Sequence, residues 1–260
     1  MFLPIPYRDE NETIRTPVCT FLLIAINVLV WLFVQGAGKA LPLDRSICLQ
    51  GLIPAELMGF AQRGDFSYVG EGARCLLNPE RRAPEHLLTS MFLHGGWGHL
   101  AGNMWFLWLF GNNVEDSMGR RRFLLFYVLS GFVAALAHVL SDTTSTIPMV
   151  GASGAISGVM GAYIVLYPKV RVYCFVWLVV IVTSISVPAW VMLGCWLALQ
   201  LAGEFFGGAA ANGGVAFWAH IGGFVAGVAL VKLFARPEYI AEHRARHWRP
   251  SRMGLRPSRF

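Results

Sequence analysis

The sequence predicts an all-α polytopic membrane protein of six transmembrane helices, and three observations lead to that class. Over 260 residues the chain is 55% hydrophobic and only 14% charged. Its mean hydropathy is +0.53, which is too apolar for a soluble domain of this length. Apolar windows near 17–35, 95–111, 122–140, 151–167, 188–206 and 216–235 each approach the roughly 20 residues that a helix needs to cross a bilayer. The formal charge of +6 is gathered at connections: Arg120-Arg121-Arg122, then Lys169 and Arg171, then a tail carrying Arg236, Arg244, Arg246, Arg249, Arg252, Arg256 and Arg259. The positive-inside rule assigns those connections, and with them both termini, to the cytoplasm.

Residues 1–16 form a cytoplasmic N-terminal segment, 17–236 the membrane domain and 237–260 a basic cytoplasmic tail. The first window follows Arg8 and Arg15, lacks a small-residue cleavage site and runs into Gly36, so it is a retained helix and not a removed signal. The outer loop that follows, about 36–86, has balanced charges: Lys39, Arg45, Arg63, Arg74, Arg81 and Arg82 stand against Asp44, Glu56, Asp65, Glu71, Glu80 and Glu85. It also holds Cys48 and Cys75, which an oxidising compartment permits to form a disulfide. Cys19, Cys174 and Cys195 lie in or beside apolar segments. The arginine-rich tail reads as an anchor on anionic lipid rather than a nucleic-acid arm.

Residues 171–206 are long enough for two spans, and parity decides between the readings. From a cytoplasmic start, the second helix returns at Arg120, the third exits toward 141–146 and the fourth returns to Lys169. A single crossing in 171–206 then leaves the tail inside and puts Ser153 and His220 at the same, outer, face. That crossing is assigned to Pro188 onward, since proline is tolerated in a first helical turn. Residues 172–187 are left as a β-branched interfacial segment.

On that outer face four pieces converge: His94, His99 with Asn103, Ser153 and His220. His99 and Asn103 are spaced i, i+4 and share a helical face. His94 lies about 140° around from His99 if helical, which argues against a pair of metal ligands. Gly154, Gly158 and Gly161 in the fourth helix, and Gly223 and Gly227 in the sixth, give small faces for close helix approach. His220 lies on the face of the latter pair. A serine is a weak nucleophile until a base takes its proton, so the spacing suggests His220 as base to Ser153. His99, Asn103 and the Ser153 backbone N–H are then the groups that hold a developing oxyanion. No acidic residue stands beside His220, which favours a dyad.

Three motifs in this order resemble the rhomboid family of intramembrane serine proteases: Leu93-His94-Gly95-Gly96-Trp97-Gly98-His99-Leu100-Ala101-Gly102-Asn103, then Gly151-Ala152-Ser153-Gly154-Ala155, then Ala219-His220-Ile221-Gly222-Gly223 with Gly227. The resemblance covers about 90–230. It implies a six-helix rhomboid-like bundle, a Ser153–His220 dyad and oxyanion roles for His99 and Asn103. Gly151 and His94 are then supports, the latter holding the outer loop. Substrates are expected to be transmembrane segments of single-pass or other membrane-anchored proteins, cut near the outer face of a bacterial cytoplasmic membrane. No cofactor or metal is expected. Phe205 and Phe206, near the outer end of the fifth helix, are expected from the same resemblance to gate substrate entry.

The sequence departs from the family at two places. Glu85 and His86 stand where many members carry Trp-Arg, and Ser157 stands four residues after the serine, where an aromatic that stacks on the histidine is often found. Three competing readings are weaker. Metal-dependent proteolysis would want His-Glu-x-x-His on a helix, which is absent, and His243, His247 and Glu242 lie in the tail. A transporter would need a polar pathway, yet only Glu204 approaches a span. A catalytically silent relative that binds membrane helices is disfavoured by the intact Ser153 and His220.

Overall fold

The computed structural model describes residues 5–69, 73–178, 181–207 and 216–247. In chain order it contains β1 (Ile5–Asp9), α1 (Val18–Leu29, continued by one π-helical turn, Val30–Val34), α2 (Ala40–Gln50), α3 (Pro54–Met58), β2 (Phe66–Val69), β3 (Ala73–Leu76), α4 (His86–Thr89), α5 (Trp97–Met118), α6 (Arg120–Ser141), α7 (Ser153–Leu166), β4 (Arg171–Leu178), β5 (Ile181–Pro188), α8 (Ala189–Gly207), α9 (Phe217–Phe234) and α10 (Pro237–His247). Helices α1, α5, α6, α7, α8 and α9 fall on the six apolar windows. By length and composition α6 and α9 are long and apolar enough to cross a membrane, while Val18–Val34, Ser153–Leu166 and Ala189–Glu204 are shorter apolar helices.

The chain is not purely helical, which corrects the all-α expectation. Strands β1, β4 and β5 form an antiparallel sheet in that order, and β2 pairs with β3 in a separate hairpin. In β4 alternation sets the buried face, with Val172 and Cys174 buried while Arg171 and Phe175 are exposed. An alternation of period two gives the strand one buried face, here packed on the helical core, and β-branched residues fit such a half-buried strand. The hairpin brings the chain back to where it left: Ala189 N–H donates to Val170 O at 2.8 Å and Trp190 N–H to Pro168 O at 3.1 Å. Only α8 therefore carries the chain to the other end of the bundle.

That lower end is pinned by carboxylates. Glu115 of α5 accepts from Cys19 N–H at 2.9 Å, Thr20 N–H at 2.7 Å and Thr20 Oγ at 2.8 Å. These are donors of the first turn of α1, which has no internal partner for them and carries the positive end of its dipole. Asp116 accepts from Ile14 N–H and Arg15 N–H at 2.9 and 3.0 Å. Arg15 also pairs with Glu242 of α10 and stacks on Tyr239 at 3.7 Å. Asp9 accepts from Tyr163 OH at 2.6 Å and Asn113 Nδ2 at 3.0 Å, and its burial pushes the carboxyl up to about 7. The N-terminal strand, the α5–α6 junction and α10 therefore meet at one end. Gly119 makes that junction a single residue, with φ +77°, a conformation that disfavours side chains carrying a Cβ.

The core that positions the upper end is the packing of α7 against α9 and α6. A Cβ added at Gly227 would lie 1.9 Å from Gly158 O, one at Gly223 2.0 Å from Gly154 O, and one at Gly161 2.2 Å from Phe224 O. Backbone therefore touches backbone along this seam, as small faces allow. Around it pack Leu107, Phe110, Phe126, Tyr127, Tyr163 and Leu193, all buried.

Candidate active site

Ser153 is the first residue of α7, and His220 sits in the first turn of α9. The close seam between these helices starts level with both residues, and it brings Ser153 Oγ to 2.8 Å from His220 Nε2. Because α7 begins at Ser153, the N–H groups of Ser153, Gly154 and Ala155 precede the first bond of the helix, from Ile156 N–H to Ala152 O at 3.0 Å. They form the positive end of its dipole beside the hydroxyl. Backbone bonds hold the approach to that end: Leu52 and Met149 exchange bonds at 3.0 and 2.8 Å, and Gly151 N–H donates to Ser90 O at 2.9 Å.

Gly151 has φ +127°, which few residues with a side chain adopt. A Cβ there would come within 2.7 Å of both His99 Cε1 and Nε2 and within 3.6 Å of Ser153 Oγ. The missing side chain is the space between the histidine and the serine. His99 Nδ1 accepts from Gly95 N–H at 3.3 Å, which leaves the proton on Nε2, the nitrogen facing that space. Asn103 is 6% exposed, and its Nδ2 has no partner among the described residues. His99 Nε2 and the helix N-terminus thus face one position next to the hydroxyl, and Asn103 lines a recess with His99, Ser153 and His220.

His94 is buried and meets the His99 ring edge-on at 5.2 Å. Burial, with His99 adding to it, pushes its imidazole down to about 3, so it is neutral and acts by packing. The Gln35 amide brackets its backbone, accepting from His94 N–H and donating to His94 O, both at 2.8 Å. A cavity of about 800 Å³ opens above the dyad, lined by Met91, Gly95, His99, Gly131, Ser153 and His220 among others. Its outer wall includes Tyr68 and Val69 of β2, and that hairpin is joined to α2 by the paired Cys48 and Cys75, whose Cα atoms are 5.5 Å apart. A smaller recess of about 220 Å³, reaching Asn103, Ser157 and Trp196, lies behind.

The structure therefore brings Ser153, His220, His99, Asn103, Gly151 and His94 together. Gly154, Gly158, Gly161, Gly223 and Gly227 form the seam behind them. Phe205 and Phe206 fall in the last turn of α8, and their side chains lie outside the described residues. Ser157 donates to Ser153 O at 2.7 Å within its own helix. The groups that do meet the second side of the His220 ring come from α8: Gln200 Oε1 at 2.7 Å from Nδ1, and the Trp196 ring at 5.8 Å. The sequence reading missed both, and the only signal available was a polar residue with an aromatic four before it in an apolar span. Glu204, one turn beyond, is bonded by Trp218 Nε1 at 2.8 Å. His243 Nε2 lies 3.1 Å from Glu12 O, and no metal-binding group of three or more His, Cys, Asp or Glu exists among the described residues.

A serine hydroxyl hydrogen-bonded to an imidazole beside a helix N-terminus therefore stands at one end of an apolar helix bundle. Residues 82–237 match the family model described as Rhomboid domain, and the chain belongs to the rhomboid family of integral membrane proteins. It is 30% identical over 148 residues to the putative rhomboid protease YdcA of Bacillus subtilis, covering 57% of this chain and 61% of that one. It is also 30% identical over 148 residues to the mitochondrial Rhomboid protein 1 of Saccharomyces cerevisiae, covering 55% and 39%. With Rhomboid protease GluP of Bacillus subtilis it shares 46% over 76 residues, covering 29% and 14%. The matches therefore span no more than about three fifths of the length of these relatives.

Proposed function

We propose that this protein is an intramembrane serine endopeptidase that cleaves transmembrane segments of membrane-anchored proteins near the outer membrane face. The observation that carries the reading is the 2.8 Å contact between Ser153 Oγ and His220 Nε2, with His99 and Asn103 grouped about the adjoining space. As Ser153 Oγ bonds to the scissile carbonyl carbon, its proton passes to His220 Nε2, and the carbonyl oxygen becomes an oxyanion facing His99 Nε2–H, Asn103 Nδ2 and the α7 N-terminus. The C–N bond then breaks as His220 returns the proton to the leaving nitrogen. Water, deprotonated by the same imidazole, releases the acyl group from Ser153. A helical substrate must unwind locally first, because its peptide groups are already hydrogen-bonded. Small or helix-weakening residues are expected at the cut.

Six crossings with both termini cytoplasmic fit this reading. The basic clusters Arg120–Arg122, Lys169 and Arg236 lie at the end where residues 5–17 and α10 meet, opposite the dyad. A bacterial cytoplasmic membrane suits a paired Cys48 and Cys75 on the outer, oxidising side. The test is cleavage of a fluorescent transmembrane substrate by purified protein in detergent or liposomes. Ser153→Ala and His220→Ala are each expected to abolish turnover, and turnover persisting in Ser153→Ala would sink the mechanism.

A further inference from the structure

We infer that Gln200 is a positioning residue for the Ser153–His220 pair, fixing the tautomer and orientation of the imidazole from a third helix. The proposal rests on the proteolytic reading above. Neither helix that carries the pair supplies a partner for the far side of the His220 ring: Ser157 bonds Ser153 O, and in α9 the seam is glycine. The partner is Gln200 Oε1, at 2.7 Å from His220 Nδ1. An amide oxygen only accepts, so Nδ1 must carry the proton, and Nε2 is left with its lone pair toward Ser153 Oγ. That is the tautomer that a general base requires. The opposite one would present N–H to the hydroxyl and leave it unactivated.

A second contact fixes the ring plane. Trp196 lies one turn before Gln200, its ring 5.8 Å from His220 and 6.2 Å from Phe224, so the indole is wedged against two side chains one turn apart on α9. Trp196, Gln200 and Glu204 form one stripe at i, i+4, i+8, and each meets α9, the last through Trp218. This stripe does from α8 what the missing aromatic at 157 would do from α7. The competence of the pair therefore depends on where α8 stands. Because Gln200 is neutral, it holds the imidazole without the extra stabilisation of the protonated ring that a carboxylate supplies.

The test compares wild type, Ser153→Ala, Gln200→Leu and Gln200→Glu in the transmembrane-substrate assay, with kcat and KM across pH and melting temperature for each. Gln200→Leu, close in volume, is expected to lower kcat about tenfold, the loss of one hydrogen bond, with KM and melting temperature near wild type. Gln200→Glu restores an acceptor and is expected to recover kcat and to move the acid limb of the rate profile to higher pH. Other titratable side chains near His220 are His99 across the cavity and His138, and all variants keep them. Ser153-dependent turnover with unchanged kcat in Gln200→Leu would overturn this proposal alone. So would equal losses in both variants with lowered melting temperature and an unshifted pH profile. Turnover insensitive to Ser153→Ala overturns the proteolytic reading, and this one with it.

Discussion

Gly223→Ala tests whether the glycine seam sets the geometry of the Ser153–His220 pair. Gly223 lies three residues after His220, and its added Cβ would stand 2.0 Å from Gly154 O, 3.0 Å from Gly154 C and 3.3 Å from Ala134 Cβ. The nearest obstacle is backbone in the first turn of α7, next to Ser153, so no rotamer change relieves it. Reaching 3.0 Å, below which such contacts are essentially never found, requires the two helices to part by about 1 Å, and close-packed interiors transmit such a displacement. Applied to the 2.8 Å Ser153–His220 contact, that shift takes it beyond the ~3.5 Å reach of a hydrogen bond. Gly223→Ala is therefore expected to lose about 1–3 kcal/mol of stability through overpacking and about 10²-fold or more in kcat/KM through loss of the base. The measurements are thermal unfolding in detergent and the rate at which a fluorophosphonate labels Ser153. Gly194→Ala, where a Cβ meets nothing within 4 Å, serves as the control and should match wild type. Labelling of Gly223→Ala at the wild-type rate would refute the argument.

Further outcomes follow from other contacts. Asn103→Ala should lower kcat by about 10²–10³ with little change in KM, as removal of an oxyanion donor does; an unchanged kcat in steady-state assays removes Asn103 from that role. Arg81→Met leaves the Glu56 carboxylate, 3% exposed and now bonded by Arg81 at 2.6 Å, without its cation. Thermal unfolding should show a cost of about 3 kcal/mol, largely recovered by adding Glu56→Gln; equal stability of Arg81→Met and wild type would count against it. Membrane-impermeant maleimide should find two more thiols, Cys48 and Cys75, only after reduction, and labelling of both in the untreated protein excludes the bridge. His94, held neutral with its value pushed from 6.5 down to about 3, contributes stability that is complete above about pH 6.5 and is lost as pH falls toward 3. The melting temperature should fall across that window, and less steeply in His94→Phe; identical slopes would show that burial of His94 is not the cause.

The six apolar windows and the small faces of α7 and α9 were legible because both depend on local periodicity. Hydropathy over some 20 residues and glycines at helical spacing need no knowledge of any partner. Ser153, His220, His99 and Asn103 were legible as chemistry-bearing types at helix mouths, and a resemblance joined them. The β1–β4–β5 sheet was not, because pairing Ile5 with Phe175 depends on chain closure over many residues. Nor was the orientation of His220: the sequence showed only that position 157 lacks an aromatic and left Ser157 or another helix to hold the ring, whereas the fold turns Ser157 onto its own helix and brings Trp196 and Gln200 across from α8. Gly151 was legible as part of a motif, but only the placement of His99 over it shows that the missing Cβ is the space beside Ser153 Oγ. The sequence alone thus located the six apolar helices and the chemistry-bearing residue types at their mouths. The tertiary structure decided which side chains face one another, because contact between distant segments depends on how whole helices pack and leaves no periodic trace along the chain.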